Sequence, residues 1–363
     1  MNYLDELKEL VLLHGQAQGL TFPYCQSILE RITCEEGNGP GSWVYEWTKD
    51  APLLEHKARW LEAVRLYNLA RFPFVQSEER QQAHQACVAA FNQWLSTKTQ
   101  IQTLEILQTE GHFKVYFKSN NKLAKQPLLV VLGGIVSLKE QWVAFLEKTD
   151  ALGMAIALTE MPGVGENTLP YGINAWKMFS ALLNRLSPLA DITNTYVVAL
   201  SFSGHLAIQH ALQEQSVKGI TTVGAPIHHF FTDQKWWNQV PLTTKRTLAH
   251  ILQIQVEDLL ATLTPMALSD VQLNSLSIPL NYVFSRRDEI IPLAEKYFLQ
   301  QHTPRLCLQE FDDTHGSPHH LKEMQLWIPL SILCQRADSS WKTKILHLRL
   351  LLQQTKRLFK LGT

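Results

Sequence analysis

A serine sits where an apolar run ends and a helical pattern begins. In Asn194 to Ala207, NTYVVALSFSGHLA, the run Tyr196 to Leu200 stops at Ser201 and helix-like spacing starts directly behind it. A nucleophile on a strand-to-helix turn needs small neighbours, in the pattern small-x-Ser-x-small. Centred on Ser201, the flanks are Ala199 and Ser203, with Gly204 and Ala207 where a helix would press on a sheet. Ser203 is the second candidate, although its own flank would be His205, too bulky for so tight a turn. A serine hydroxyl attacks only when a base takes its proton and a carboxylate fixes the tautomer of that base. Asp288 follows the apolar run Ile278 to Phe284, and His315 follows Arg305 to Phe311. The order serine, acid, histidine, each behind a strand-like run, points to acyl-transfer chemistry on an alpha/beta-hydrolase fold.

Such chemistry also needs amides aimed at a developing oxyanion. One comes from the residue after the nucleophile and one from an earlier strand-to-helix loop. The strand Pro127 to Leu132 runs into GGIVS, with a helix expected over Leu138 to Thr149, so Phe202 and Ile135 are the expected donors. Gly133 and Gly134 let the backbone approach a substrate, and Gly134 is assigned to binding it. The paired glycines lack the third glycine of a dinucleotide loop and the lysine of a phosphate loop, so no cofactor is expected.

Elements able to position these groups can be read along the chain. Residues 1–102 space apolar groups at helical intervals, as in Trp60, Leu61, Val64 and Tyr67, and imply a helical cap interrupted at Gly37–Gly41 and Pro73. From 103 onward the pattern turns to beta, with TLEILQTE and HFKVYFKS forming a hairpin. Runs at 127–132, 154–160, 195–200, 219–224, 278–284 and 305–311 then alternate with helical segments. That alternation is the sequence form of an α/β fold with a mostly parallel sheet covered on both faces, here over a core of 103–340. Residues 228–276 form a long insertion within the core, expected to be a lid. Its Phe230, Phe231, Trp236 and Trp237 are expected either to wall an apolar or aromatic substrate pocket or to bury the insertion against the body. In the last segment, 341–363, Trp341, Ile345, Leu348, Leu352 and Phe359 fall on one helical face, amid Lys342, Lys344, Arg349, Lys356, Arg357 and Lys360. A basic amphipathic helix packs that face on its own domain or on a second copy, making a homodimer, or else docks an acidic partner such as an acyl carrier protein or lies on a membrane.

A formal net charge of +0 argues against nucleic acid as a partner. Five scattered cysteines without a C-x-x-C pair suit reduced thiols, and MNYLDELKEL lacks the layout of an export signal, so a cytoplasmic protein is expected. No uncharged apolar run approaches the roughly 18 residues of a membrane span. In DDTHGSPHH, the residues Asp312, Asp313, His315, His319 and His320 could ligate a metal, but Pro318 starts a helix only after His315, so His315 and His319 need not share a face and no metal is expected.

PLLVVLGGIVSLKEQW, EMPGVGEN, the Ser201 turn, HHFF, RRDEIIP, His315 and the ARFPF segment of the cap together resemble the FrsA-like alpha/beta hydrolases. That group includes 2,6-dihydroxypseudooxynicotine hydrolase and hydrolases that shorten aromatic polyketides. The resemblance implies a Ser201–His315–Asp288 triad and a bulky small-molecule acyl substrate. Its scissile bond would be an ester, a thioester or the carbon–carbon bond of a beta-diketone. Ala199 and Ser203 stand where the group usually has glycine.

Overall fold

The computed structural model describes residues 2–120, 124–338 and 340–361, with 356–361 as backbone only. Among these residues six helices precede the sheet: α1 (Tyr3–Ala17), α2 (Phe22–Leu29), α3 (Trp43–Thr48), α4 (Ala51–His56), α5 (Trp60–Ala70) and α6 (Glu78–Ser96). Their boundaries follow local chemistry. Asn2 and Ser77 cap α1 and α6 by accepting from the Asp5 and Arg80 amides, and α6 opens on Glu78 and Glu79, whose charge suits a helix N-terminus. α5 packs on α3, α4 and α6 and is buried from Leu66 to Ala70, with Ala63 and Val64 before them.

Among the described residues eight strands form one sheet: β1 (Ile101–Gln108), β2 (Gly111–Lys118), β3 (Pro127–Leu132), β4 (Ala155–Thr159), β5 (Asp191–Leu200), β6 (Val217–Val223), β7 (Leu280–Ser285) and β8 (Leu306–Phe311). Their order is β1-β2-β4-β3-β5-β6-β7-β8. β1 and β2 form an antiparallel hairpin, β2 joins β4 antiparallel, and β3 to β8 are mutually parallel. β4 and β7 are buried throughout, as strands covered on both faces are; the helices of the core are α7 (Thr149–Leu152), α8 (Met178–Leu186), α9 (Phe202–Gln213) and, after the insertion, α15 (Leu293–His302), α16 (Leu321–Gln335) and α17 (Trp341–Leu361), of which α9 and α16 pack on β6 and α17 on α16. The helix expected over 138–149 is instead mostly a 3₁₀ helix, Lys139–Lys148, followed by α7.

Between β6 and β7 lie five short helices: α10 (His229–Thr232), α11 (Gln234–Gln239), α12 (Leu242–Leu252), α13 (Leu259–Leu263) and α14 (Asp270–Asn274). α12 packs on α1, so insertion and N-terminal helices meet. The aromatic cluster of the insertion is internal. Phe230 lies edge-on to Phe202, Phe231 and Trp237, Phe231 packs on the His205 ring, and Trp236 donates to Ile290 O. Phe230 and Phe231 are fully buried, and these rings hold the insertion on the body.

Packing of α17 overturns one of its expected alternatives, burial of the named apolar face on its own domain. It rests on α16 with Leu350 buried, at 7% exposure, while Trp341, Ile345, Leu348 and Leu352 are exposed, Trp341 at 67%. The apolar face named from the sequence therefore points outward. Side chains of Lys356, Arg357, Phe359 and Lys360 lie outside the described residues. Among the described residues no helix is long and apolar enough to cross a membrane.

Candidate active site

The carboxyl ends of β3, β5, β6, β7 and β8 converge on one crevice, the usual ligand position in parallel sheets. β5 ends at Leu200, and Ser201 turns the chain into α9 at φ 57° and ψ −130°, a conformation that L-residues adopt only under constraint. The Ser201 amide donates to Val223 O at 2.8 Å, which pins the turn to β6. Gly204 is required behind it: a Cβ there would stand 2.1 Å from Thr222 Oγ1 and 2.8 Å from Ala225 Cβ. Ser203 Oγ is fully buried and donates to Leu200 O at 2.9 Å, so its hydroxyl serves the turn. His205, whose Nε2 meets Met266 O at 2.9 Å, is buried in the contact with the insertion.

Ser201 Oγ lies 3.0 Å from His315 Nε2, and His315 Nδ1 lies 2.9 Å from Asp288 Oδ2 and 3.0 Å from Oδ1. Asp288 comes from the loop after β7, where its Oδ1 accepts from the Ile290 and Ile291 amides at 2.9 and 2.8 Å. With Asp288 ionised, the proton on His315 belongs on Nδ1, and Nε2 keeps the lone pair that faces Ser201. Burial disfavours the imidazolium, but the charge and hydrogen bond of Asp288, helped by Glu289, outweigh it and raise the His315 pKa above the ordinary value.

Gly134 lies against Ser201, since a Cβ there would approach Ser201 Cβ to 3.0 Å and Leu200 O to 3.3 Å. Ile135 follows in the turn closed by the Ser137 amide on Gly134 O at 3.0 Å. The amides of Phe202 and Ile135 have no acceptor among the described residues, and the Phe202 amide opens α9, where the helix dipole is positive. The loop is held from behind. Lys139 Nζ meets Glu140 at 2.9 Å and both Glu160 and Glu166 at 2.8 Å, tying the 3₁₀ helix to the EMPGVGEN turn.

Several residues that shape the site gave no sequence signal. Gly224, at φ 61°, leaves room for the histidine: a Cβ there would come within 2.8 Å of His315 Cε1. Glu289 accepts the His315 amide at 3.0 Å, and burial raises its pKa. Glu295, fully buried, accepts from the amides of Ile227, His228 and Phe230 at 2.9 to 3.0 Å and holds the first turn of the insertion. Asp313 draws in the other histidines, 2.7 Å from Nδ1 of both His319 and His320, while Asp312 pairs outward with Arg287. His14 of α1 faces this region from the cap. Burial, with the positive charge of Arg71 and His315, lowers its pKa to about 3.

This sheet order, with a strained serine on its central strand, defines an alpha/beta-hydrolase fold, and solved structures agree. Wild-type AbyA5 superposes with a TM-score of 0.92 at 37% identity, covering 97% of this chain and 99% of that one. The 2,6-dihydroxy-pseudo-oxynicotine hydrolase gives 0.71 at 19% identity over 88% and 95%, a likeness of fold. The FrsA-like family, described as "Esterase FrsA-like", matches residues 32–299, and the chain belongs to that family. Esterase FrsA of Vibrio vulnificus is 27% identical over 252 residues, covering 64% of this chain and 60% of the relative. Its counterpart in Photobacterium profundum is 24% identical, covering 66% and 61%, so the chain spans about 60% of the length of these curated relatives.

Proposed function

We propose that this chain is a serine hydrolase that works through an acyl-enzyme on a bulky, largely apolar acyl substrate. The supporting observation is the hydrogen-bonded chain from Ser201 Oγ through His315 to Asp288, at 3.0 and 2.9 Å, on a turn held at positive φ. In this scheme His315 Nε2 takes the Ser201 proton as Oγ attacks a carbonyl carbon, and Asp288 stabilises the imidazolium. The Phe202 and Ile135 amides receive the oxyanion. Protonated His315 then gives its proton to the leaving group, and water activated by the same histidine releases the acid. An ester or thioester loses an alkoxide or thiolate. A beta-diketone loses a carbon that departs as an enolate, stabilised by its own remaining carbonyl.

The test is turnover by purified protein of matched esters, thioesters and beta-diketones, with Ser201→Ala alongside. Turnover that falls by about 10⁴-fold or more in Ser201→Ala, with substrate still bound, is the expected result. Undiminished turnover in that variant rules the scheme out.

A further inference from the structure

Two adjoining cavities lie between cap and insertion, of about 590 and 290 Å³. They share Phe74, Gly163, His250 and Ile251, so they make one passage. The outer mouth is flanked by exposed His250, stacked on Phe74 at 4.6 Å. The inner end is lined by Arg71, His84 and Ile135, the last being the oxyanion residue of the proposed mechanism.

Arg71 stands out as a buried cation. It is 3% exposed, and no carboxylate lies within ion-pair distance among the described residues. Its donors meet only neutral acceptors: Asn68 Oδ1 from Nε at 2.9 Å and from Nη2 at 2.6 Å, Pro73 O from Nη1 at 3.1 Å, and Val136 O from Nη2. A guanidinium has five N–H groups, so one Nη1–H is left over. Burial lowers the Arg71 pKa to about 10, offset only in part by the charges of Glu160 and Glu140, and the group stays cationic near neutrality. Beside it His84 is 8% exposed and its Nε2 has no partner. Burial and Arg71 pull the His84 pKa to about 4, so it is a neutral imidazole. A buried cation with no ion pair and one N–H without an acceptor lacks what an anionic oxygen supplies.

We infer that the Arg71–His84 end of this passage is a subsite for a negatively charged organic oxygen, a carboxylate or an enolate, carried by the substrate beyond its reacting carbonyl. The inference rests on the acyl-transfer reading only for the direction in which the substrate lies. Arg71 would bind the oxygen through its spare N–H, and its bond to Val136 O would fix that charge one residue from the Ile135 amide.

The probes are mono-p-nitrophenyl adipate and p-nitrophenyl hexanoate, which differ at the far end by a carboxylate against a methyl group. Wild-type protein should prefer the adipate ester in kcat/KM by about tenfold or more, and Arg71→Met should bring that ratio to about one or below. A wild-type ratio near one overturns the subsite, as does a preference that survives in folded Arg71→Met. Should Arg71→Met fail to fold, His250→Glu, at an exposed position, should cut the ratio about threefold at low salt, and an unchanged ratio there also overturns it. If neither ester is hydrolysed, calorimetry with Ser201→Ala separates the two claims. About tenfold weaker binding of the adipate ester by Ser201→Ala/Arg71→Met than by Ser201→Ala upholds the subsite while the catalytic reading fails. Equal affinities, or no binding by Ser201→Ala, end the inference.

Discussion

Gly224 follows β6 at φ 61°, and a methyl group added there would stand 2.8 Å from His315 Cε1, 3.1 Å from Nδ1 and 3.6 Å from Asp288 Oδ2. Carbon atoms rest at roughly 3.5–4.0 Å, so Gly224→Ala must push the ring away by about 0.7 Å or more. A misplacement of about 1 Å at a catalytic group costs roughly 10²-fold in rate, about 2.7 kcal/mol of transition-state stabilisation. The left-handed backbone itself costs an alanine about 1–2 kcal/mol of stability. Gly153→Ala separates the two effects, because Gly153 also has φ 61° but its added Cβ would meet nothing within 4 Å. Both variants should lose a few degrees of Tm by differential scanning fluorimetry, at ~2–4 °C per kcal/mol. Only Gly224→Ala should lose about 30- to 100-fold in kcat/KM on a chromogenic ester. If folded Gly224→Ala keeps kcat/KM within about threefold of wild type, the ring does not need the position described, and the argument for Gly224 fails.

Asp288→Asn should keep the fold but cut kcat/KM by about 10⁴-fold, because an amide favours the wrong imidazole tautomer; steady-state kinetics that show less than a tenfold loss contradict that role. His315 must be neutral to act as base and its pKa is raised, so kcat/KM should fall with acidification through an apparent pKa above the ordinary imidazole value. A pH–rate profile whose acid limb lies well below that value refutes the Asp288 and Glu289 contribution. Glu295→Ala would strand buried amides at Ile227, His228 and Phe230, each at about 1–3 kcal/mol, and should lower stability by at least 2 kcal/mol in denaturant titration. A change under about 0.5 kcal/mol would mean that water or another acceptor replaces the carboxylate. Turnover in oxygen-18 water should place label in the carboxylate product, and an unlabelled product points to elimination instead of hydrolysis.

The parallel strands were legible because a strand buried on both faces reads as a nearly continuous apolar run, as in PLLVVL and, broken only by Asn281, IPLNYVF, and each stops at a glycine, serine or charged loop. Ser201, Asp288 and His315 could be named as candidates because chain order and position after strands survive in one dimension, and the structure brings them within hydrogen-bond distance. Gly224, Glu295 and Arg71 stayed hidden for a common reason: each matters through partners far away in sequence. One glycine among 17 carries no mark that a histidine will stand against it. Whether the apolar face of α17 meets its own domain stayed open because helical periodicity tells which residues share a face, not which face the neighbouring helix meets. The insertion aromatics show the same gap, since composition marks them as apolar anchors without saying whether a substrate or the body fills the space between them.

The most direct test of the central claim is a fluorophosphonate probe followed by intact mass and peptide mapping. A phosphonate needs an activated hydroxyl, so one adduct per chain on Ser201 is expected, absent from Ser201→Ala and formed far more slowly in His315→Ala. Full exposure to the probe with no mass change, or an adduct that maps to Ser203 or elsewhere, would contradict the assignment of Ser201 as the nucleophile.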